Sequence, residues 1–201
     1  MGGLVRQPSQ FMPAIREIIE RIRYWRGTDR IGPDVPWTHW RLHFKSTMKA
    51  LCCAKFGSFG KGAEFRPGAY AIVCSKIRIG DKVVIRPGTM LFADPREGGA
   101  GITIEDEVLI GSGVHIYTLN HRFDDSTTPI IDQGHMASQA VMLRRGCWIG
   151  ANAIILPGVE IGENAVIGAG SVVTKSIPPK VLAVGAPAKV IKQPPNHDAA
   201  F

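Results

Sequence analysis

The apolar residues of this chain recur every six positions, and that rhythm leaves few folds open. Leu143, Ile149, Ile155, Ile161, Ile167 and Val173 follow one another without a break. Gly150, Gly162 and Gly168 come directly after three of the isoleucines, and short side chains (Cys147, Ala153, Val159, Ala165, Ser171) stand four places after successive members. The same spacing appears in other phases at Phe59, Phe65, Ala71 and Ile77, at Ile79, Ile85 and Leu91, and at Ile104, Ile110 and Ile116. Six is neither the 3.6 of a helix nor the two of an ordinary strand. It is the length of one short strand plus one corner, with the aliphatic residue pointing inward and small residues letting the backbone turn tightly. Three such sides close a triangular coil, and each coil buries its apolar row only against its neighbours, as solenoids do. The period predicts a mainly β chain of stacked parallel strands, and 23 glycines in 201 residues fit that better than a helical bundle.

The repeat, together with WIGANAIILPGVEIGENAVIGAGSVVTKSIPPKVLAVGAPAKVIK from Trp148 to Lys192, resembles the hexapeptide-repeat acyltransferases. Within them it is similar to the sugar and xenobiotic O-acetyltransferases. The resemblance covers roughly residues 58–192. It implies a left-handed parallel β-helix, against the general right-handed rule for parallel crossovers. It also implies acetyl-CoA as cosubstrate, a homotrimer, and an active centre between neighbouring subunits.

Outside the coil, residues 13–26 carry Ile15, Ile18, Ile19 and Ile22 at helical spacing, with Pro13 in the first turn and Gly27 to end it. A second helix beginning near Thr38 would hold Trp40, Phe44, Met48 and Leu51 on one side. The expected organisation is an N-terminal helical cap over residues 1–57, the β-helix over 58–192 and a flexible tail over 193–201. The two helices are expected to cover the open end of the coil. A basic helix lying on a membrane is the competing reading. Two stretches interrupt the period: FADPREGGAG (92–101) and the longer 117–140. A long loop in so regular a solenoid is usually functional.

The longer loop holds Asn120-His121-Arg122-Phe123-Asp124-Asp125. A lone loop histidine is ordinarily a solvated polar residue, but in the family a similar "NH" loop supplies the catalytic base. His121 is therefore expected to take the proton from an attacking hydroxyl, chemistry for which imidazole is suited at neutral pH. No Ser or Cys sits in a nucleophile elbow, so direct transfer is expected rather than an acyl-enzyme. By the resemblance, Trp148 lies against the pantetheine arm, Ala151 and Ala169 offer backbone amides at the corners, and Thr174, Lys175 and Lys192 meet the coenzyme, its phosphates included. Asn120, Asp124 and Asp94 are the acceptor-binding candidates. Arg144 and Arg145 replace an acidic pair common in the family, which would suit an anionic acceptor.

Lys plus Arg number 24 and Asp plus Glu 17, a net charge of +7. That excess suits phosphate, nucleic acid or a membrane surface without choosing among them. The cations are spread along the chain with no nucleic-acid motif, so no nucleic-acid partner is expected. No apolar run approaches a membrane span and MGGLVRQPSQ lacks the apolar region of a secretion signal, so membrane contact is expected to be peripheral at most. Four cysteines without a CxxC pair suit a reducing cytoplasm. His115 and His121 lack the third histidine a zinc site would need, and no metal is expected. The activity expected is acetyl transfer from acetyl-CoA to a sugar hydroxyl in surface polysaccharide or lipopolysaccharide synthesis. N-acetylation of an amino sugar, acetylation of a xenobiotic and a non-catalytic trimeric scaffold are the alternatives.

Overall fold

Eighteen short strands form three sheets that make the sides of a left-handed parallel β-helix in a computed structural model, which describes residues 11–192. Side chains are described from Ile15 to Ile191, so the expected tail at 193–201 lies outside the described residues. One face stacks Ser58–Phe59, Ile77–Ile79, Ile102–Ile104, Val141–Leu143 and Glu160–Ile161 in parallel. The next stacks Glu64–Phe65, Val84–Ile85, Leu109–Ile110, Trp148–Ile149, Val166–Ile167 and Leu182–Val184, and ends in the antiparallel Lys189–Lys192. The third runs from the antiparallel edge strand Arg30–Ile31 through Tyr70–Ile72, Met90–Phe92, His115–Tyr117 and Ile154–Ile155 to Val172–Val173.

The register explains the sixfold spacing. Ile79, Ile104, Leu143 and Ile161 align on the first face, Phe65, Ile85, Ile110, Ile149 and Ile167 on the second, and Ala71, Leu91, Ile116, Ile155 and Val173 on the third. Every one of these side chains is buried. The corner glycines are there for approach as well as for turning. A Cβ on Gly150 would lie 2.5 Å from the amide nitrogen of Ala169 in the next coil, and one on Gly162 2.3 Å from that of Pro179. Charged staples also cross the coils: Arg144 reaches Glu105 and Glu160, both at 2.8 Å, and Arg145 reaches Glu107 at 2.9 Å. These pairings correct the expectation for Arg144 and Arg145, whose guanidinium groups are engaged by carboxylates of neighbouring coils rather than held free for an anionic acceptor.

The N-terminal segment departs from the expected pair of packed helices. Helix α1 spans Phe11–Gly27, but Ile15, Ile18, Ile19 and Ile22 are exposed. The second helical stretch breaks in two, α2 at Pro36–Arg41 and α3 at Lys45–Lys55. Among the described helices, α3 closes the coil, with Leu42 beside it. Met48, Leu51 and Cys52 join the core there, and the following Phe56 stacks at 5.9 Å on Phe59 and tilts at 5.3 Å against Phe65. Trp40 and Phe44, expected on the packed side, face outward because the turn at Leu42–Phe44 rotates them off the α3 stripe.

Candidate active site

Both interruptions of the period leave the prism at the corner between the third face and the first, one coil above the other. The longer excursion is pinned at its base as an antiparallel ladder. Gln139 donates its amide to the Thr118 carbonyl at 2.9 Å, Met136 to Asn120 at 2.9 Å, and Arg122 to Gly134 at 3.1 Å. Between the last two bonds His121 lies opposite His135 in a non-hydrogen-bonded pair, the arrangement that brings side chains closest on one face. The two imidazoles stand 4.4 Å apart at a 32° tilt. His135 had no signal in the sequence, since its pairing with His121 depends on where the loop folds back.

Both rings, with Asn120, line a cleft of about 490 Å³ whose other walls are largely apolar: Phe92, Tyr117, Leu119 and Leu156 among them, with Arg30 at one end. Phe92 and Tyr117 stack at 4.9 Å, nearly parallel, and His115 Nδ1 lies 2.9 Å from the Tyr117 hydroxyl. The cleft thus has one polar side, formed by the base of the loop, and one aromatic side, formed by the third face.

Asp94 is not presented to this cleft, which corrects its placement as an acceptor contact. Its carboxylate is 1% exposed and both oxygens are taken by Arg96, with Nη2 at 2.8 Å and Nε at 3.0 and 3.1 Å. Arg96 also donates to the Met136 carbonyl at 3.1 Å, and Ser138 Oγ accepts from the Ala100 amide at 3.0 Å. The pair clasps the two loops together beside His135. The Arg96 guanidinium holds the Asp94 carboxyl well below the usual carboxylate range. A depressed carboxyl contributes stability that is fully present above its unfolded value, near 4, and is lost as pH falls through its folded value. Asp94→Asn is expected to lower the unfolding free energy by about 1–3 kcal/mol at neutral pH. The gap to wild type should close progressively below roughly pH 4, as urea titrations at several pH values would show.

Asp124 does not line the cleft either. It is exposed and paired with Arg122 at 2.6 Å. Asp125 organises the loop tip by accepting from the Thr127 amide and from both threonine hydroxyls at 2.6–2.8 Å, and these bonds hold its carboxyl down to about 2. The expected coenzyme residues do not line the cleft. Thr174 and Lys175 are exposed just beyond the last strand of the third face. Ala151 and Ala169 stack one coil apart at another corner, where the Gly170 amide donates to the Ala151 carbonyl at 2.8 Å. Trp148 is half exposed on the second face. Lys192 ends the final strand, and its side chain lies outside the described residues. Cys74 and Cys147 are buried, which pushes their thiols up to about 12 and removes them as nucleophiles at neutral pH. Among the described residues, no three His, Cys, Asp or Glu side chains converge as a metal-ligand set.

Comparison with known proteins agrees with this architecture. Residues 141–175 match the family model of the bacterial transferase hexapeptide (six repeats). The chain is 35% identical to the galactoside O-acetyltransferase of Escherichia coli over 153 residues, 76% of this chain and 71% of that protein. Among solved structures, galactoside acetyltransferase in complex with coenzyme A superposes with a TM-score of 0.69 at 28% identity, over 92% of this chain and 84% of the other. The hexapeptide-repeat acetyltransferase VCA0836 of Vibrio cholerae, complexed with acetyl-coenzyme A, gives 0.68 at 26% identity over 82% and 91%. The chain belongs to the hexapeptide-repeat acetyltransferase family.

Proposed function

We propose that this protein transfers acetyl from acetyl-CoA to a hydroxyl of a sugar, with His121 as general base. The observation that carries the reading is the placement of His121 on the polar lip of the aromatic cleft, locked against His135 by the loop ladder. The imidazole would take the proton of the acceptor hydroxyl as its oxygen attacks the thioester carbonyl. The tetrahedral oxyanion would be met by backbone amides, and collapse would expel the coenzyme thiolate, to which the imidazolium returns the proton. A thiolate is a better leaving group than an alkoxide, so little further acid assistance is needed. Aromatic walls suit the apolar face of a sugar ring, while Asn120 and the imidazoles face its hydroxyls.

The coenzyme would run along residues that a single prism does not bring to His121. Trp148, Ala151 and Ala169 belong to the second face and its far corner, whereas His121, Thr174 and Lys175 lie along the corner where the loops emerge. A neighbouring copy in a cyclic homotrimer would supply the missing side, with Trp148 against the pantetheine and Lys175 and Lys192 on the phosphates. The proposed setting is the cytoplasmic synthesis of surface polysaccharide or lipopolysaccharide. Direct transfer is the proposed route. A thiol-release assay with acetyl-CoA and matched panels of sugars, amino sugars and nucleotide sugars tests the reading. Saturable turnover on hydroxyl acceptors, with an alkali-labile ester as product, is the expected result. Turnover confined to amino sugars, with a stable amide as product, would replace it with N-acetylation, and absence of saturable acetyl-CoA binding by calorimetry would leave a scaffold.

A further inference from the structure

Residues 35–63 contain no Asp or Glu but five cations, Arg41, Lys45, Lys49, Lys55 and Lys61. None of the five is ion-paired among the described residues. Lys45 sits in the first turn of α3, where the helix dipole disfavours a positive charge, and no acidic residue offsets it there. The same segment turns its largest aromatic groups outward. Trp37 is 71% exposed, Trp40 63% and Phe44 50%, while Thr38, Leu42, Met48 and Leu51 on the inner side are buried. Trp40 meets Phe44 edge to face at 5.6 Å, and Trp37 precedes Trp40 by three residues on the same short helix. The core is complete without them. Helix α1 adds four exposed isoleucines among four arginines and two glutamates, with Arg16 paired to Glu20 at 2.9 Å. Its C-terminal end is tied to this region where Trp25 Nε1–H donates to the Asp34 carbonyl at 3.1 Å.

Tryptophan and phenylalanine with interleaved Lys and Arg suit the boundary between headgroups and acyl chains, where rings find apolar depth and cations meet lipid phosphates. We propose that this aromatic and basic face, at the N-terminal end of the prism, docks the protein on the surface of an anionic lipid bilayer. Charge complementarity selects that occupant. A second copy of the same face would set cation against cation, and a soluble polyanion, even one whose bases stacked on the indoles, would leave the exposed isoleucines in water. No helix among the described residues is long and apolar enough to cross a membrane, so the contact is a surface one. In a cyclic oligomer the face would be repeated on one end of the assembly, and the contacts would reinforce one another. The inference is independent of the acetyl-transfer reading.

The test is flotation of the full chain with phosphatidylcholine vesicles, plain or containing roughly one third phosphatidylglycerol. Wild type is expected to float with the anionic vesicles, to be released by salt, and to remain unbound with the neutral ones. Two double variants, Trp37→Ala with Trp40→Ala and Lys45→Glu with Lys49→Glu, are each expected to weaken partitioning by about tenfold or more. Both should keep the wild-type mass in solution and the wild-type acetyl-transfer rate on soluble acceptors. Failure of wild type to float with anionic vesicles overturns the proposal, as does a tryptophan variant that floats like wild type. Equal affinity of wild type and the tryptophan variant for a single-stranded oligonucleotide that abolishes flotation would assign the face to a polyanion. Protection of Trp37 and Trp40 from acrylamide quenching in vesicle-free protein would assign it to a neighbouring copy.

Discussion

Replacing His121 with alanine is expected to lower kcat by about 10²-fold or more on the true acceptor while leaving acetyl-CoA affinity nearly unchanged. The two halves of the expectation rest on different parts of the prism. The imidazole lies at the base of the long loop, on the polar side of the cleft, where His135 is the other imidazole among the described lining residues. Asn120 cannot accept a proton at neutral pH, and Asp94 is consumed by Arg96. The proposed coenzyme contacts at Trp148, Ala151, Ala169 and Lys175 are carried by the coil itself, whose strands the substitution does not touch. Thiol-release kinetics would give the rate and calorimetry the affinity. His135→Asn supplies the contrast: it removes the tilted ring 4.4 Å away while leaving His121 in its ladder, and its loss should be smaller. A His121→Ala enzyme with wild-type turnover, or one in which His135→Asn is the more damaged, would transfer the role of base to another group.

How far the sequence disclosed this arrangement depends on the range of the interaction. The stacked columns were legible because each coil repeats the same local demand, so Ile104, Ile110 and Ile116 declare one turn of the prism without reference to any other segment. His121 was singled out by the family resemblance and its position just past a strand exit, and the structure sets it on the cleft wall, its role as base remaining the proposal. His135 was not, because its role is fixed by the register of a loop folding back on itself, and Gly134 and Gln139 carry no periodic mark. Asp94 was misread for a related reason: its partner Arg96 lies two residues away in a turn that only the second loop completes. Arg144 and Arg145 likewise found carboxylates from other coils, a juxtaposition that stacking creates and linear order hides. The N-terminal isoleucines show the limit from the other side. Helical periodicity gives a helix an apolar face but does not say what covers it.

Among the buried positions, Ile149→Ala is expected to be one of the costliest substitutions, in the upper part of the about 2–5 kcal/mol range for such truncations. The residue is fully buried and stacked between Ile110 of the preceding coil and Ile167 of the next. What sets the cost within that range is how well the surroundings can close the cavity. Here they have little room to do so. The strand is bonded on both sides, with the Trp148 amide donating to Ala165 at 2.9 Å and the Gly150 amide to Ile167 at 2.8 Å, while Gly111 donates to Ile149 at 2.8 Å. At the adjacent corner the Gly150 and Ala169 backbones already approach to within what a Cβ would need, so the coils cannot draw nearer along the axis. The lateral walls are the other two faces of the same coil, each fixed by its own ladder. The void therefore persists, and the atoms lining it lose their contacts outright. Met142→Ala, which shortens an outward-facing, partly exposed side chain of the same coil, should cost no more than roughly 1 kcal/mol. Urea unfolding at a fixed protein concentration would compare the two. Equal losses at the two positions would mean that the stacked interior does not carry the stability of the prism.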